Sequence, residues 1–77
     1  METTLDNVLL NVDAIVKKID CGESINRRLM DLGIIENTKI TPILISPTGD
    51  ARAYDVRKTI LALRQEDAKN IFVNTEI

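Results

Sequence analysis

The sequence predicts a single small, mostly β domain with one short helix inserted near its start. Three observations support this class. Short runs rich in Val, Ile and Leu recur along the chain, and turn residues separate them. The stretch 25–32 instead spaces its apolar residues as a helix does. The length of 77 residues allows one hydrophobic core and leaves no room for a second domain.

The first predicted strand covers residues 12–19, which are rich in Val and Ile. A turn follows it and contains Asp20, Cys21 and Gly22. An apolar cluster precedes the strand, and the spacing of this cluster fits either one helical turn or an extended lead-in. The cluster consists of Leu5, Val8, Leu9 and Leu10.

A helix is predicted over residues 25–32, where Ile25, Leu29 and Leu32 recur at i, i+4 and i+7. Ser24 is placed to cap its N-terminus with a hydroxyl group. Gly33 suits the left-handed position that ends many helices. In such a cap the side chains at the positions of Leu29 and Ile34 commonly touch. So short a helix is marginal in isolation, so packing must hold it. We expect three side chains to tether it to the sheet: Leu29, Leu32 and Ile34.

Four more strands are predicted after the helix, at residues 39–46, 51–56, 59–64 and 71–73. Pro42 has no amide hydrogen, so the second strand has an edge or a bulge there. Residues 46–50, Ser-Pro-Thr-Gly-Asp, are a strong turn signal. A helical turn is expected at 65–70, before the last strand. Alternation in the third strand places three side chains on one face: Arg52, Tyr54 and Val56.

Five short strands joined by tight turns suggest a small barrel, because closure removes exposed sheet edges. We predict an SH3-like barrel with the helix between its first and second strands. An OB-fold also has five strands and one helix and is the alternative, but its helix usually lies between the third and fourth strands. The domain spans residues 1–77, with its core at about 5–73 and a frayed tail at 74–77.

Catalysis is not expected from this composition. The chain has no histidine, so the usual proton shuttle near neutral pH is missing. Cys21 therefore has no histidine to activate it. The three glycines are scattered and form no phosphate-binding loop.

The turn after the first strand offers a candidate metal site. One thiol and two carboxylates cluster there, at Asp20, Cys21 and Glu23, and such a set could make a weak contact with Fe(II) or another divalent transition metal. Strong zinc sites need about four Cys or His ligands, so no certain cofactor is implied. The simpler interpretation is a polar turn with one small residue.

Four basic residues fall on two neighbouring strands and could form a stripe for nucleic acid: Arg52, Arg57, Lys58 and Arg64. The net charge of −2 argues against this, because it provides no general basic field. Stacking on bases needs aromatic side chains, and the chain has only Tyr54 and Phe72, which we assign to the core. We therefore expect a solvated, mixed-charge sheet face and no nucleic-acid partner.

Three further features predict the location of the protein. The single cysteine allows no internal disulfide and suits a reducing compartment. The first residues are acidic and lack the basic start of a signal peptide. No apolar run approaches the ~20 residues that span a bilayer. We expect a cytoplasmic protein that does not insert into the membrane and reaches it only through a partner.

Three stretches of the chain resemble the FeoA family. Residues 27–34, Arg-Arg-Leu-Met-Asp-Leu-Gly-Ile, are similar to its central signature. Residues 46–50 resemble its Ser-Pro-x-Gly-Asp turn, and residues 61–73 resemble its closing segment. Three such stretches in order make the resemblance specific, and they span nearly the whole chain. The chain departs from the family at Lys58, where Gly is usual, and at residues 10–11, where Pro-Gly is frequent.

The resemblance implies a non-enzymatic SH3-like domain tied to ferrous iron uptake in a prokaryote. The implied partner is FeoB, a membrane transporter, through its GTP-binding domain or its membrane part. A similar barrel serves as an interaction module in iron-dependent repressors, so a regulatory module that binds transition metal ions is the alternative function. We expect a monomer or a weak dimer.

The helix is the predicted contact surface for that partner. Its polar face and an exposed-looking methionine form a compact patch, and Met is common at adaptable protein contacts. Ordinary solvation of a helix explains the same pattern. The candidate partner-binding residues are Arg27, Arg28, Met30, Asp31 and Gly33.

Overall fold

The computed structural model describes residues 1–76. Within them the chain forms six strands, two α-helices and one 3-10 helix. The strands are β1 (Glu2–Thr4), β2 (Ala14–Ile19), β3 (Lys39–Ile45), β4 (Ala51–Val56), β5 (Thr59–Arg64) and β6 (Ile71–Asn74). The helices are α1 (Glu23–Asp31), α2 (Gln65–Ala68) and the 3-10 helix Leu5–Asn7. No helix among these residues is long and apolar enough to span a membrane.

The six strands form one antiparallel sheet in the order β1-β6-β2-β3-β4-β5. α1 lies between β2 and β3, and α2 precedes the last strand, as the SH3-like prediction required. The SH3-like class is confirmed, but two details of the predicted barrel were wrong. The sheet has six strands rather than five, and it is not closed, because β1 and β5 end it as separate edges.

The strand that the sequence did not predict, β1, extends the sheet beyond β6. Its three residues show no alternation of apolar and polar side chains, so pairing with β6 makes them a strand. Glu2 pairs with Asn74, and Thr4 pairs with Phe72. The N-terminal ammonium group of Met1 also donates to the side-chain oxygen of Asn74 at 2.9 Å.

The end of the chain is more structured than the predicted tail at 74–77. β6 runs to Asn74. Thr75 is buried, and its amide donates to the carbonyl oxygen of Met1 at 2.9 Å. The pairing with the N-terminus therefore carries the sheet past residue 73, and Ile77 lies outside the described residues.

α1 begins earlier than predicted. Its N-cap is Gly22, with φ +91°, and Ser24 lies inside the first turn rather than capping it. The first turn closes when the amide of Asn26 donates to the carbonyl oxygen of Gly22 at 2.8 Å. A glycine at positive φ lets the chain leave β2 and enter the helix directly, which a residue with a side chain does less easily.

The end of α1 follows the prediction in its backbone. Gly33 has φ +92°, and its amide donates to the carbonyl oxygen of Met30 at 2.9 Å. The amide of Ile34 donates to the carbonyl oxygen of Leu29 at 2.9 Å. These two bonds form a Schellman motif, in which the side chains of Leu29 and Ile34 are expected to meet. Both are buried, at 2% and 0% exposure.

Leu32 does not tether the helix, contrary to the prediction. It remains 42% exposed. Because the chain reverses at Gly33, Ile34 occupies the place under the helix that the spacing assigned to Leu32. The anchors of α1 are therefore Leu29, Ile34 and the half-buried Ile25, which packs against the core.

The core combines side chains from every strand of the sheet except β1 with both α-helices and the N-terminal lead-in. The sequence allowed either a helical turn or an extended lead-in for the apolar cluster before β2, and the structure forms the 3-10 helix at its start. Leu5 and Val8 are buried there, whereas Leu9 and Leu10 stay exposed. The largest fully buried side chain is that of Tyr54. Phe72, also assigned to the core from the sequence, is 38% exposed, because it alternates with the buried Ile71 and Val73 along β6.

The strands after α1 follow the prediction closely. The pairing of β3 with β4 has a bulge directly after Pro42, as the missing amide hydrogen required. The 46–50 turn is held by its own side chains, since the hydroxyl groups of Thr48 and Ser46 donate to Asp50 at 2.5 and 3.1 Å. These two bonds, with that of Thr48 the stronger, lower the pKa of Asp50.

Candidate docking surface

Asn26 holds the loop that leads from β2 into α1. Its side-chain oxygen accepts a hydrogen bond from the amide of Cys21 at 2.8 Å, and its side-chain nitrogen donates to the carbonyl oxygen of Ile19 at 3.4 Å. Asn26 was not among the functional residues predicted from the sequence. An asparagine in the first turns of a predicted helix is a signal that could have found it, because Asn is unfavourable in helix interiors without such a role.

Thr38 fixes the segment that follows the other end of α1. Its hydroxyl group donates to the carbonyl oxygen of Gly33 at 3.4 Å and accepts from the amide of Ile35 at 3.3 Å. The residue is only 5% exposed. The residue was not predicted from the sequence, although its partners lie only three and five positions before it and a threonine in a short loop is a local signal for such bonds. Together Asn26 and Thr38 set the position of the helix on the sheet.

A groove of about 750 Å³ separates α1 from the end of β2. Its apolar lining includes Met30 and Ile35, which keep 56% and 39% of their surface exposed. Its rim carries charges of both signs, from Lys17, Lys18, Arg27, Asp20, Glu23 and Glu36. A concave apolar surface with a charged rim is typical of protein contact sites.

The structure places the five predicted partner-binding residues on α1 or at its end, but on different sides of it. Arg27 and Met30 line the groove beside β2. Arg28 lies on the opposite side, in a depression that it shares with residues 62–64 of β5. Asp31 is exposed at the last helical position, and Gly33 is half-buried just beyond it. The candidate surface therefore extends to both flanks of the helix.

The hairpin loop between β4 and β5 reaches the C-terminal end of α1. Its two residues, Arg57 and Lys58, are exposed and have φ of +52° and +69°. Two-residue loops favour such angles but usually hold Asn and Gly, since left-handed geometry costs other residues about 1–2 kcal/mol each. The Cδ atom of Arg57 lies 3.8 Å from the position that a Cβ atom on Gly33 would occupy. The loop thus places Arg57 beside the end of the helix, with the exposed Lys58 next to it in the chain.

The four basic residues considered as a stripe on β4 and β5 do not form one, and the face predicted in its place is not fully solvated, because Arg52 is buried. Arg52 is buried, and its guanidinium group donates to the carbonyl oxygens of Asp6 and Val8, the first at 2.8 Å. Arg64 is exposed and forms an ion pair with Glu66 at 3.1 Å. Alternation along β4 put Arg52 on the core face, and burial there removes it from any surface stripe.

The candidate metal residues Asp20, Cys21 and Glu23 are not brought together as a ligand set. Within residues 1–76, no three Asp, Glu, Cys or His side chains are grouped to hold a metal ion. The thiol of Cys21 donates to the carbonyl oxygen of Asp67 at 3.3 Å. Burial raises the pKa of this thiol, and the charges of Asp67 and Asp20 raise it further. The thiolate that a metal ion requires is therefore disfavoured.

Comparison with known proteins relates this geometry to a family. The family model described as FeoA domain matches residues 3–75. The FeoA protein from Chlorobium tepidum is similar with a TM-score of 0.92 and 25% sequence identity, over 97% of this chain and 71% of that one. The FeoA-like protein from Clostridium acetobutylicum has a TM-score of 0.87 and 30% identity, over 99% and 88% of the two chains. The comparison with curated proteins gave no match.

The fold is also found outside this family. A manganese-dependent transcriptional repressor is similar with a TM-score of 0.85 and 13% identity. The match covers 96% of this chain and 41% of the repressor. At that identity the likeness concerns the fold alone, so it carries no function to this chain.

Proposed function

The chain belongs to the FeoA domain family, and on this basis we propose that it is a non-enzymatic accessory protein of ferrous iron transport that docks on the cytosolic part of the FeoB transporter. The observation that carries the docking proposal is the surface around α1. It combines an outward-facing helix with an apolar groove on one flank and exposed charges on both. Such a surface can hold a partner without any catalytic group.

The small share of α1 that is buried supports a role in contact. Leu29 is its one buried residue, and Ile25 is half-buried. Met30 and the C-cap Leu32 keep 56% and 42% of their surface exposed. A helix that served only to cover the sheet would turn its apolar side chains inward. Exposed Leu and Met side chains instead provide area that a partner can bury.

The chemistry of the chain supports a non-enzymatic role. It contains no histidine. Its single thiol, that of Cys21, is half-buried, and its pKa is raised by burial and by neighbouring carboxylates. A protonated thiol is a poor nucleophile, so Cys21 is not activated for covalent chemistry.

An amide titration of the isotope-labelled chain with the purified GTP-binding domain of the cognate transporter tests this function. We expect shifts at residues 26–35 and at the end of β2, because these segments line the groove. The Met30→Gln variant should bind about tenfold more weakly, since a partly buried apolar contact is lost.

The matched control is Leu9→Gln, which removes an apolar side chain that is 71% exposed and lies outside the groove. This variant should bind as the parent does. A spectrum that stays unchanged at high partner concentration would reject the docking proposal. If Met30→Gln and Leu9→Gln weakened binding to the domain equally, the contact would not be centred on α1.

A further inference from the structure

We propose that the Arg57-Lys58 loop forms a second part of the docking surface, and that the partner presents to it an acidic segment carrying an apolar side chain. This inference rests on the proposed function and adds the chemistry of the partner to it. We name four residues the helix–hairpin surface: Arg28, Leu32, Arg57 and Lys58.

The helix–hairpin surface runs from the side of α1 to the tip of the hairpin. Arg28 and Leu32 are one helical turn apart, since the amide of Leu32 donates to the carbonyl oxygen of Arg28 at 3.1 Å, and residues so spaced are neighbours on a helix. Gly33 follows directly, and the Cδ atom of Arg57 lies 3.8 Å from the position of a Cβ atom there. The exposed Leu32 therefore lies between Arg28 of the helix and Gly33, which Arg57 of the loop approaches.

The charge of the helix–hairpin surface predicts the charge of its partner. Arg28, Arg57 and Lys58 are all exposed. Among residues 1–76 the one ion pair within 4.0 Å is Arg64–Glu66, so none of the three cations is paired with a carboxylate. Asp67 lines the same depression as Arg28 but forms no ion pair with it. The chain as a whole has a net charge of −2. A basic patch on an acidic protein is complementary to acidic groups, which steer the encounter and select the partner.

The backbone of the loop gives an independent reason to assign it a function. Arg57 and Lys58 both have positive φ, at +52° and +69°. Folding alone favours Asn-Gly at these two positions. The chain keeps two long cationic side chains in an unfavourable conformation at an exposed tip, and strain of this kind occurs at sites that serve binding.

The surface suits a protein better than a nucleic acid. The side chain between the cations, Leu32, is aliphatic and 42% exposed. Binding of single strands relies on aromatic stacking, and neither aromatic residue belongs to this surface: Tyr54 is buried, and Phe72 lies on β6. An apolar centre surrounded by cations fits an acidic protein segment with an apolar anchor.

The decisive variant is R57N/K58G, because it should improve folding and impair binding at the same time. Asn and Gly accept the positive φ angles, so the melting temperature should rise by a few degrees. Loss of two cations should weaken binding to the GTP-binding domain about tenfold and make it less sensitive to salt. A binding defect in a better-folded protein cannot result from misfolding.

The control is K39Q/K69Q, which removes two exposed cations that line depressions without any residue of α1 or of the Arg57-Lys58 loop. It should bind as the parent does.

Unchanged binding of R57N/K58G would overturn this inference while leaving the α1 docking intact. A lower melting temperature for R57N/K58G would mean that the cations serve the fold, and would also overturn it. If the parent bound a DNA or RNA oligonucleotide in a salt-sensitive way and R57N/K58G did not, the partner of this surface would be a nucleic acid, and the inference of a protein partner would be overturned. Failure of the parent to bind the domain would overturn the inference together with the proposed function.

Discussion

The positively charged side chain of Arg52 is buried, and its guanidinium group is hydrogen-bonded to backbone carbonyl groups. Its guanidinium group donates to the carbonyl oxygens of Asp6 and Val8, and it lies 5.6 Å from the ring centre of Tyr54. Its Nε atom has no partner among the described residues. A buried charge is tolerated only when hydrogen bonds compensate it, so Arg52 fastens the 3-10 segment to the sheet.

We predict that Arg52→Ala lowers the free energy of unfolding by about 2–4 kcal/mol, because two charge-assisted hydrogen bonds and much of the packing of the side chain are lost. Urea denaturation measures this change. Arg64→Ala is the matched control, since the Arg64 side chain is 76% exposed and its ion pair lies at the surface. It should change stability by less than about 1 kcal/mol. Equal effects of the two substitutions would contradict the assigned role of Arg52.

At the scale of elements, the end of α1 shows how a helix cap decides which neighbouring side chain is buried. The Schellman bonds at Gly33 direct Ile34 under the helix and leave Leu32 outside. One reversal of the chain thus decides which of two neighbouring aliphatic residues stabilises the helix and which remains free for contact. The same reversal brings Gly33 beside Arg57 of the hairpin.

We predict that Leu29→Ala lowers the free energy of unfolding by about 2–5 kcal/mol, since its side chain is buried and its loss leaves a cavity. Leu32→Ala, a substitution of identical chemistry three residues away, should change it by about 0.5 kcal/mol or less. Thermal and urea unfolding of the two variants give the comparison. If Leu32→Ala proves as destabilising as Leu29→Ala, the helix packs differently from the structure.

At the scale of the whole molecule, the two ends of the chain are joined. β1 pairs with β6, the amide of Thr75 donates to the carbonyl oxygen of Met1, and the Met1 ammonium group donates to Asn74. β6 also pairs with β2, so the terminal segments are part of the sheet that carries α1. The core therefore depends on residues that are far apart in sequence, and ionisation of a buried group within it affects the whole domain.

We predict a loss of stability at alkaline pH. Burial raises the pKa of Tyr54 above its ordinary 10.0, and burial with Asp67 and Asp20 raises that of Cys21 above 9.0. The unfolded chain releases these protons first, so the stabilising contribution is complete below about pH 9 and is lost as the pH rises through the raised values. Urea unfolding from about pH 7 to pH 11 should show the decline.

The variant that tests this origin is C21A/Y54F, which should show a flatter dependence on pH. At neutral pH the Tyr54→Phe change alone should be neutral or stabilising, because the buried hydroxyl group has no partner among the described residues. A decline of equal steepness in parent and double variant would assign it to other groups.

Local signals in the sequence were enough for the elements after α1 and for its end. Pro42 predicted the bulge, the 46–50 turn predicted the β3–β4 connection, and Gly33 predicted the left-handed cap. Each of these features depends on residues within a few positions of one another, so composition and spacing are sufficient to predict it. The resemblance to the family rested on the same stretches and was confirmed by the match over residues 3–75.

Features that depend on distant pairing were decided only in three dimensions. β1 is a strand because β6 lies beside it, and Arg52 is buried because carbonyl groups of the N-terminal segment meet it. Arg57 lies beside Gly33 at the end of α1, whereas Arg52 is buried, and this separation also depends on the packing of remote segments. Short-range chemistry of the chain specifies turns and helix ends, whereas contacts between remote segments determine which side chains are buried and which remain exposed.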